Sequence, residues 1–334
     1  MWHLLIMLFK REDSMKYIND DKLKKKVSKI GFGGARLGSN YSEETSFKLL
    51  DIFYINGGTL IDTARSYSPW QLGSRGNSEK CIGKWLEKNN RRESTVIVTK
   101  GGVRGEKGNI IDASKKNLCE ELNESLDALR TDYIDIYLLH KDDLERPIEE
   151  IIETLQFLRE KANVRRIGIA NMEYGRFCEA FSYAENNHME PPTVLQTWWS
   201  LAEYKKEMWN DSTTTHMEPA LYEFLKEKKM ICMAYTSQCK GYFQKMALEE
   251  EDKIDPFLKE RIETKRNICK AEYIKTYCQK NNIHPTAFVN GYITSNQLEG
   301  IALVSCSNLE QLQNVMDNCD YILPQTAIDD IDSI

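Results

Sequence analysis

The chain has 334 residues, of which 41% are hydrophobic and 29% are charged, and its formal net charge is −6. This length is enough for a full core, in one large α/β barrel or in two smaller domains. The acidic balance argues against nucleic acid or an anionic membrane as the main partner. The nine cysteines show neither a Cys-x-x-Cys pair nor a Cys/His spacing typical of metal sites. We therefore expect a cytoplasmic protein without a metal.

Residues 1–14 begin with a largely apolar run and then become charged. The run is too short to cross a bilayer, and it lacks the basic start and small-residue cleavage site of a signal peptide. We interpret residues 1–14 as an N-terminal extension, disordered or loosely attached. Residues 15–334 are expected to form one domain, because no linker or composition shift divides them.

Eight strand-like runs, rich in β-branched and aromatic residues, alternate with amphipathic helical patterns. The helical patterns include residues 42–56, 114–129 and 147–161. This alternation predicts parallel strands in a single (β/α)8 TIM barrel. Long mouth-side loops are predicted after the sixth and seventh strands, at 201–218 and 241–268. The predicted strands cover 27–33, 58–61, 95–99, 134–139, 166–171, 193–198, 230–236 and 300–305.

A glycine-rich run begins within the first predicted strand and continues past its end: Gly31-Phe32-Gly33-Gly34-Ala35-Arg36. It resembles a dinucleotide-binding loop only in part, because Arg36 takes the place of the third glycine. A dinucleotide-binding βαβ unit also needs an acidic residue at the end of its second strand, about 20 positions further on. This chain has no acidic residue at such a position. A Rossmann domain is therefore disfavoured.

Residues that move or polarise protons follow three of the predicted strands. Asp62, Lys100 and His140 come directly after the second, third and fourth runs, and Tyr67 lies five positions beyond Asp62. Parallel barrel strands open their carboxyl ends on one mouth, so these four side chains should converge. Tyr67 can protonate a developing alkoxide, and we expect Lys100 to lower its pKa. Asp62 would hold Lys100 and His140 would polarise a carbonyl, while the hydride must come from a cofactor.

At these residues the chain resembles the aldo/keto reductases, over roughly residues 27–324. The matching runs include Leu60–Ala64 with Tyr67, Asn77-Ser78-Glu79, Val98-Thr99-Lys100 and Leu126–His140. The runs at 100–102, 140–143 and 236–238 look like a bacterial subgroup of NAD(P)H-dependent reductases. The resemblance implies a (β/α)8 barrel with Asp62, Tyr67, Lys100 and His140 as the catalytic tetrad. Retention of His140 favours reduction of carbonyls over carbon–carbon double bonds.

The same resemblance implies positions for the cofactor, with Asp62 also beside it. Asn171 and Gln196 would bind the nicotinamide carboxamide, and Tyr235 would stack on the ring. The remaining positions are Thr236, Gln238 and Gly241 at the pyrophosphate, Gly34 and Ala35 near it, and Ser305, Ser307, Gln311 and Asn314 at the adenosine end.

The chain departs from the family after the eighth strand, where many relatives hold a 2′-phosphate with Lys or Arg. This chain has Ser305-Cys306-Ser307-Asn308 there, although Arg261, Lys265 or Arg266 could supply the charge. Many relatives also have Ser where this chain has Ala170 before the carboxamide asparagine. NADPH is the expected cofactor, with NADH possible.

The expected activity is reduction of an aldehyde or ketone, such as a sugar or another small polar carbonyl, to the alcohol. Trp70 and Trp198 are predicted to face this substrate. Two alternatives are an NAD(P)H-binding sensor with little turnover and a Schiff-base aldolase that uses Lys100. The only expected partner is the small-molecule carbonyl, for a monomer or a weak homo-oligomer.

Overall fold

A closed barrel of eight parallel strands forms the centre of the computed structural model, which describes residues 15–67, 73–105, 108–205 and 213–334. Each barrel strand pairs with its neighbours in chain order, and the last pairs with the first. The predicted (β/α)8 barrel is therefore confirmed. Its strands are β1 Ile30–Gly33, β2 Leu60–Asp62, β3 Val96–Gly101, β4 Ile134–Leu139, β5 Val164–Ala170, β6 Val194–Trp198, β7 Ile231–Tyr235 and β8 Glu299–Val304.

Helices surround the barrel, and three of them match the predicted patterns to within one residue at each end. Serines begin two of these three helices: Ser42 accepts the Thr45 N–H, and Ser114 accepts the Asn117 N–H. The helices in the described residues are α1 Glu43–Ile55, α2 Asn77–Asn89, α3 Lys115–Leu129, α4 Ile148–Lys161, α5 Tyr174–Asn186, α6 Pro219–Glu227, α7 Tyr242–Ala247, α8 Pro256–Ile262, α9 Lys265–Asn281, α10 Pro285–Thr294, α11 Leu309–Asp317 and α12 Gln325–Ser333.

The core has two layers because the barrel strands bury side chains on both faces. Every residue of β3 and β4 is buried, as expected for parallel strands covered by helices. Outward side chains such as Ile97 and Tyr137 pack against the helices. Inward side chains such as Leu60, Val98 and Ile136 fill the barrel itself.

The first predicted strand, 27–33, is wrong as a single element, because the structure divides it in two. Lys25–Ser28 pairs antiparallel with Tyr17–Asp20 in a hairpin, and only Ile30–Gly33 joins the barrel. Ser28 N–H bonds the Thr59 hydroxyl at 2.9 Å, directly before β2 begins. Leu23 and Val27 of this hairpin pack with the barrel interior, so they close its amino-terminal end.

The long segment predicted after the seventh strand, 241–268, does follow β7, and it contains the short helices α7 and α8 and the first turn of α9. At 201–218, the described parts are irregular until α6 begins. Within the described ranges, no helix has the length and apolar character needed to span a membrane. The predicted extension, 1–14, lies outside the described residues.

Candidate active site

The four predicted catalytic residues lie together at the carboxyl-terminal mouth of the barrel. Asp62 is the last residue of β2, Lys100 lies near the end of β3, and His140 follows β4. The loop after β2 carries Tyr67, and this loop is bonded to β3 through Thr63 N–H to Val98 O, at 2.8 Å. Parallel pairing of β2, β3 and β4 therefore places these side chains next to one another.

Lys100 is completely buried and its ammonium group has three hydrogen-bond acceptors. Its Nζ lies 2.8 Å from Asp62 Oδ1, 2.8 Å from the Thr63 carbonyl oxygen and 2.7 Å from the Tyr67 hydroxyl oxygen. An ammonium group has three N–H donors, so this set satisfies all of them. Burial lowers the pKa of Lys100, while the negative charges of Asp62 and Glu79 oppose that lowering.

Tyr67 is half-buried and lies between the carboxylate and the ammonium. Its hydroxyl accepts from Lys100 and donates to Asp62 Oδ2 at 2.9 Å. Burial, followed by the charge and hydrogen bond of Asp62, raises its pKa well above the ordinary value. The net shift is upward, opposite to the lowering expected from Lys100, because burial and the neighbouring Asp62 carboxylate favour the protonated phenol. At neutral pH the phenol keeps its proton.

His140 faces the ring of Tyr67 edge-on, with ring centroids 5.7 Å apart. Its Nδ1 lies 3.0 Å from the Ser66 hydroxyl oxygen. Burial and the positive charges of Lys100 and Lys141 hold the pKa of His140 well below its ordinary value. The imidazole is therefore neutral at physiological pH.

Two amide side chains, one within β6 and one directly after β5, lie beside the predicted catalytic residues. Gln196 on β6 donates from Nε2 to Asp62 Oδ1 at 2.8 Å, which links it directly to the tetrad. Asn171 follows β5 with φ +56°, a left-handed conformation that asparagine tolerates better than most residues. Its Nδ2 donates to the His140 carbonyl oxygen at 3.2 Å. Each amide retains a further N–H, so both can still bind a carboxamide.

Tyr235, at the end of β7, joins the amide residues to an aromatic cluster. Its hydroxyl donates to Asn171 Oδ1 at 2.6 Å, and its ring centroid lies 6.1 Å from that of Trp198. Trp198 is only 6% exposed and packs on Tyr204 and His216. We refer to Trp198, Tyr204 and His216 as the aromatic cluster. The other predicted substrate residue, Trp70, lies outside the described residues.

The backbone after β7 is tightly wound where the pyrophosphate residues are predicted. Left-handed φ values occur at Thr236 (+53°), Cys239 (+45°), Lys240 (+51°) and Gly241 (+81°). Such conformations concentrate at functional loops, where the surrounding structure holds them. Gln238 donates from Nε2 to Asn290 Oδ1 on α10, at 3.2 Å.

Gly34 and Ala35 follow β1, where Gly34 N–H bonds the Asp62 carbonyl oxygen at 2.7 Å. A Cβ at Gly34 would lie 2.8 Å from that same oxygen, so only glycine permits this approach.

The residues predicted for the adenosine end lie between β8 and α11. Ser305 and Ser307 are exposed. Ser307 N–H bonds Gln311 Oε1 at 2.8 Å. Asn314 accepts the Thr286 hydroxyl at 2.8 Å and is therefore already engaged by α10.

Two of the three cations suggested for a 2′-phosphate make contacts of their own. Arg261 lies over the Phe257 ring, and Arg266 donates to the Asp332 carbonyl oxygen at 3.2 Å. Lys265, the first residue of α9, is exposed.

Sequence reasoning missed several residues that support the tetrad. Ser66 bonds His140, Thr215 lies beside Asn171 and Tyr235, and Glu79 binds the segments that carry Tyr67 and Lys100. Asn77-Ser78-Glu79 was part of the family resemblance but received no role. For Ser66 and Thr215 no sequence signal was available, because their partners lie far along the chain.

The nine cysteines are all thiols. In the part of the chain that the structure describes, no group of three or more His, Cys, Asp or Glu residues has a metal-binding arrangement.

Comparison with known protein families matches residues 29–334 to the aldo/keto reductase family. An aryl-alcohol dehydrogenase of Pestalotiopsis microspora is 33% identical over 191 residues, covering 53% of this chain and 48% of that protein. An aldo-keto reductase of Bacillus subtilis (strain 168) is 28% identical over 229 residues, covering 67% and 62%. An aryl-alcohol dehydrogenase (NADP(+)) of Phanerodontia chrysosporium is 31% identical over 193 residues, covering 52% and 49%. The chain thus spans about half the length of two of these relatives.

Proposed function

We propose a function for this chain, which belongs to the aldo/keto reductase family by the match of its residues 29–334. We propose that the protein reduces an aldehyde or ketone to the alcohol with a nicotinamide cofactor. The observation that carries this proposal is the hydrogen-bonded set of Asp62, Tyr67 and Lys100, with neutral His140 beside it. Asn171, Gln196 and Tyr235 are the residues that would hold the nicotinamide.

The side chains of the tetrad account for the proton that this reaction needs. A bound reduced nicotinamide would supply the hydride to the carbonyl carbon. Tyr67 would turn its hydroxyl from Asp62 toward the carbonyl oxygen and donate its proton there, which completes the alcohol. The raised pKa of Tyr67 keeps that proton in place until an alkoxide, a much stronger base than a phenolate, develops. Lys100 would then stabilise the tyrosinate through their 2.7 Å hydrogen bond.

His140 would orient the carbonyl from the other side of the Tyr67 hydroxyl. If Nδ1 accepts from Ser66, Nε2 carries the proton and becomes the donor that polarises the carbonyl. A neutral imidazole can act in this way without competing with Tyr67 as the acid. The geometry thus favours separate roles for the two residues.

The environment of Lys100 argues against the Schiff-base aldolase. A nucleophilic lysine must present a neutral amine to the substrate, whereas Lys100 is completely buried and donates to three acceptors. The complete tetrad likewise argues against a sensor with little turnover. Both alternatives predict no NAD(P)H-dependent carbonyl reduction, so one assay separates them from the reductase.

For the substrate, we favour an aromatic carbonyl over a sugar. The aromatic cluster lies beside Tyr235, next to the proposed nicotinamide position. The carboxylate of Asp142 pairs with Arg176 at 2.8 Å, and that of Asp143 accepts the Ala113 N–H at 3.0 Å, so both acidic groups already have partners within the protein. Two of the relatives described above are named as aryl-alcohol dehydrogenases.

NADPH is the cofactor that we propose, with NADH as the alternative. One relative is named as an NADP(+) enzyme, and exposed Lys265 is the cation that remains for a 2′-phosphate. We further propose that the protein works in the cytoplasm, as a monomer or a weak homo-oligomer.

Replacement of the proposed acid tests this function. The Tyr67→Phe variant should lose carbonyl reduction by about 10²–10⁴-fold, the usual contribution of a general acid. Its affinity for NADPH, measured by quenching of tryptophan fluorescence, should stay near that of the wild type. The assay follows nicotinamide absorbance with aromatic aldehydes, ketones and aldoses, using NADPH and NADH in parallel.

Tyr183→Phe is the matched control, because Tyr183 lies on α5 and bonds Glu153 on α4, away from the mouth. It should keep full activity. Turnover of Tyr67→Phe within about tenfold of the wild type would contradict the assignment of Tyr67 as the acid.

A further inference from the structure

A buried carboxylate on α2 connects the two segments that carry Tyr67 and Lys100. Glu79 is completely buried. Its Oε1 accepts the hydroxyl of Thr99, the residue before Lys100, at 2.6 Å. Its Oε2 accepts from Nη1 of Arg65, two residues before Tyr67, at 2.9 Å. One side chain therefore binds both segments at once.

In the described residues, backbone hydrogen bonds join these segments at the first part of the loop. Arg65 N–H bonds the Lys100 carbonyl oxygen at 3.0 Å, and the loop continues to Tyr67 from there. The Arg65 side chain extends to Glu79 across Gly76, whose added Cβ would lie only 2.0 Å from Arg65 Nη1. Gly76 thus leaves the space that this ion pair occupies.

Burial of a carboxylate is costly unless it is paired and hydrogen-bonded. Glu79 meets this condition through Arg65 and Thr99. Glu124 on α3 binds the opposite side of Arg65, with Nε to Oε2 at 2.7 Å, but it is half exposed. The two glutamates share one cation and differ in burial, and only Glu79 contacts the β3 strand beside Lys100.

We propose that Glu79 is a positioning residue for carbonyl reduction, which holds the Tyr67 segment against the Lys100 strand and places a negative charge behind Lys100. This inference rests on the proposed function. Glu79 does not touch Tyr67 or Lys100 itself, so it acts through Arg65 and Thr99.

Several charged or titratable groups face Lys100 and Glu79 and contribute to the pH dependence of the site. Those facing Lys100 are Asp62, Tyr67, His140 and Glu79. Those facing Glu79 are Arg65, Lys100 and Tyr137.

The first experiment separates the charge of Glu79 from its hydrogen bonds. Glu79→Gln keeps the shape and can still accept from Arg65 and donate to Thr99, but it removes the charge. Without that charge the ammonium of Lys100 is less stable, so the alkaline limb of the kcat–pH profile should move to lower pH by about one unit. Thr99→Val removes one hydrogen bond and keeps the charge. It should lower kcat roughly tenfold or more through misplacement of Lys100, while the limb stays in place.

Glu124→Gln is the matched control, because it removes a charge from the same arginine on the solvent side. Its kcat and its pH profile should equal those of the wild type. If Glu79→Gln and Thr99→Val both behave like Glu124→Gln, the positioning role is overturned. If Glu79→Gln fails to fold, as judged by its melting curve, an unchanged kcat in Thr99→Val overturns the proposal by itself.

A second readout needs no catalysis. Hydrogen–deuterium exchange of the segment 63–67 should be faster in Glu79→Ala than in the wild type and in Glu124→Gln. Equal exchange in the two variants would overturn the connection made by Glu79. A wild type that reduces no carbonyl, together with the expected difference in exchange, would instead overturn the proposed function.

Discussion

At the scale of single residues, the site depends on which groups hold protons at neutral pH. Tyr67 keeps its proton because burial and Asp62 raise its pKa, and His140 stays neutral because burial and two lysines lower its pKa. Both shifts disfavour the charged form of the group concerned. The site thus has one protonated phenol and one neutral imidazole, next to the buried ammonium of Lys100.

The lowered pKa of His140 predicts how stability changes with pH. In the unfolded chain His140 takes up a proton below a pH of about 6.5, whereas in the folded protein it does so only at lower pH. The unfolded state therefore binds more protons in this window, and the free energy of unfolding falls as the pH falls, by at most about 1.4 kcal/mol per pH unit. Urea unfolding of wild type and His140→Asn between about pH 7 and 5 measures this, since the variant lacks the titrating group. Parallel pH dependences of the two proteins would contradict the prediction.

At the scale of elements, the hairpin before β1 attaches to the barrel through charged groups. Asp135 on β4 is completely buried and binds Lys25 Nζ from the hairpin at 2.9 Å. It also binds Arg92 Nη1 at 2.7 Å and Arg165 Nη1 at 3.3 Å. Burial lowers the pKa of Lys25 to about 8, although the negative charge of Asp135 opposes this lowering. One carboxylate thus compensates three cations around the closed end of the barrel.

Replacement of that carboxylate should destabilise the whole fold. In Asp135→Asn the three cations lose their shared negative charge, and breaking a buried ionic group of this kind costs about 3–5 kcal/mol. Denaturant unfolding should show this loss as a lower midpoint. Glu120→Gln is the control, because Glu120 and Lys116 form an exposed pair at 4.0 Å, and its effect should stay within about 0.5 kcal/mol. Equal stability of the two variants would count against this role for Asp135.

At the scale of the whole molecule, we propose that residues 15–334 form one folding unit. The hairpin at 17–28 supplies Leu23 and Val27 to the barrel interior, and α12 buries Ile328 and Ile331 in the outer core. The first and last described elements therefore both contribute to the core. No boundary between domains is evident along the described ranges.

Truncation tests this domain proposal. A chain that starts at Met15 keeps the hairpin and should retain its activity, with a melting temperature within about 3 °C of the full chain. A chain that starts at Lys29 removes the hairpin, exposes the barrel interior and should melt well below both. If the Met15 chain melts as low as the Lys29 chain, residues 1–14 are needed for the fold and the proposed boundary is wrong.

The barrel and the grouping of the candidate catalytic residues could both be predicted from the sequence. Alternating apolar strands and amphipathic helices specify parallel pairing, and a closed parallel barrel brings every strand end to one mouth. Asp62, Lys100 and His140 could therefore be grouped without coordinates. Helix ends at Ser42 and Ser114 were equally predictable, because capping is a local interaction.

Features that depend on contacts between distant residues could not be predicted from the sequence and emerge from the folded structure. Residues 27–33 look like one strand locally, and pairing with Tyr17–Asp20 divides them. The pKa of Tyr67 rises because the phenol is buried and donates a hydrogen bond to Asp62, and burial of that side chain is not contained in any sequence pattern. Glu79 joins two segments through side chains of Arg65 and Thr99. The proposed role of Glu79 could not be predicted from the sequence, because its burial and its ion pair form only when α2 packs against the barrel.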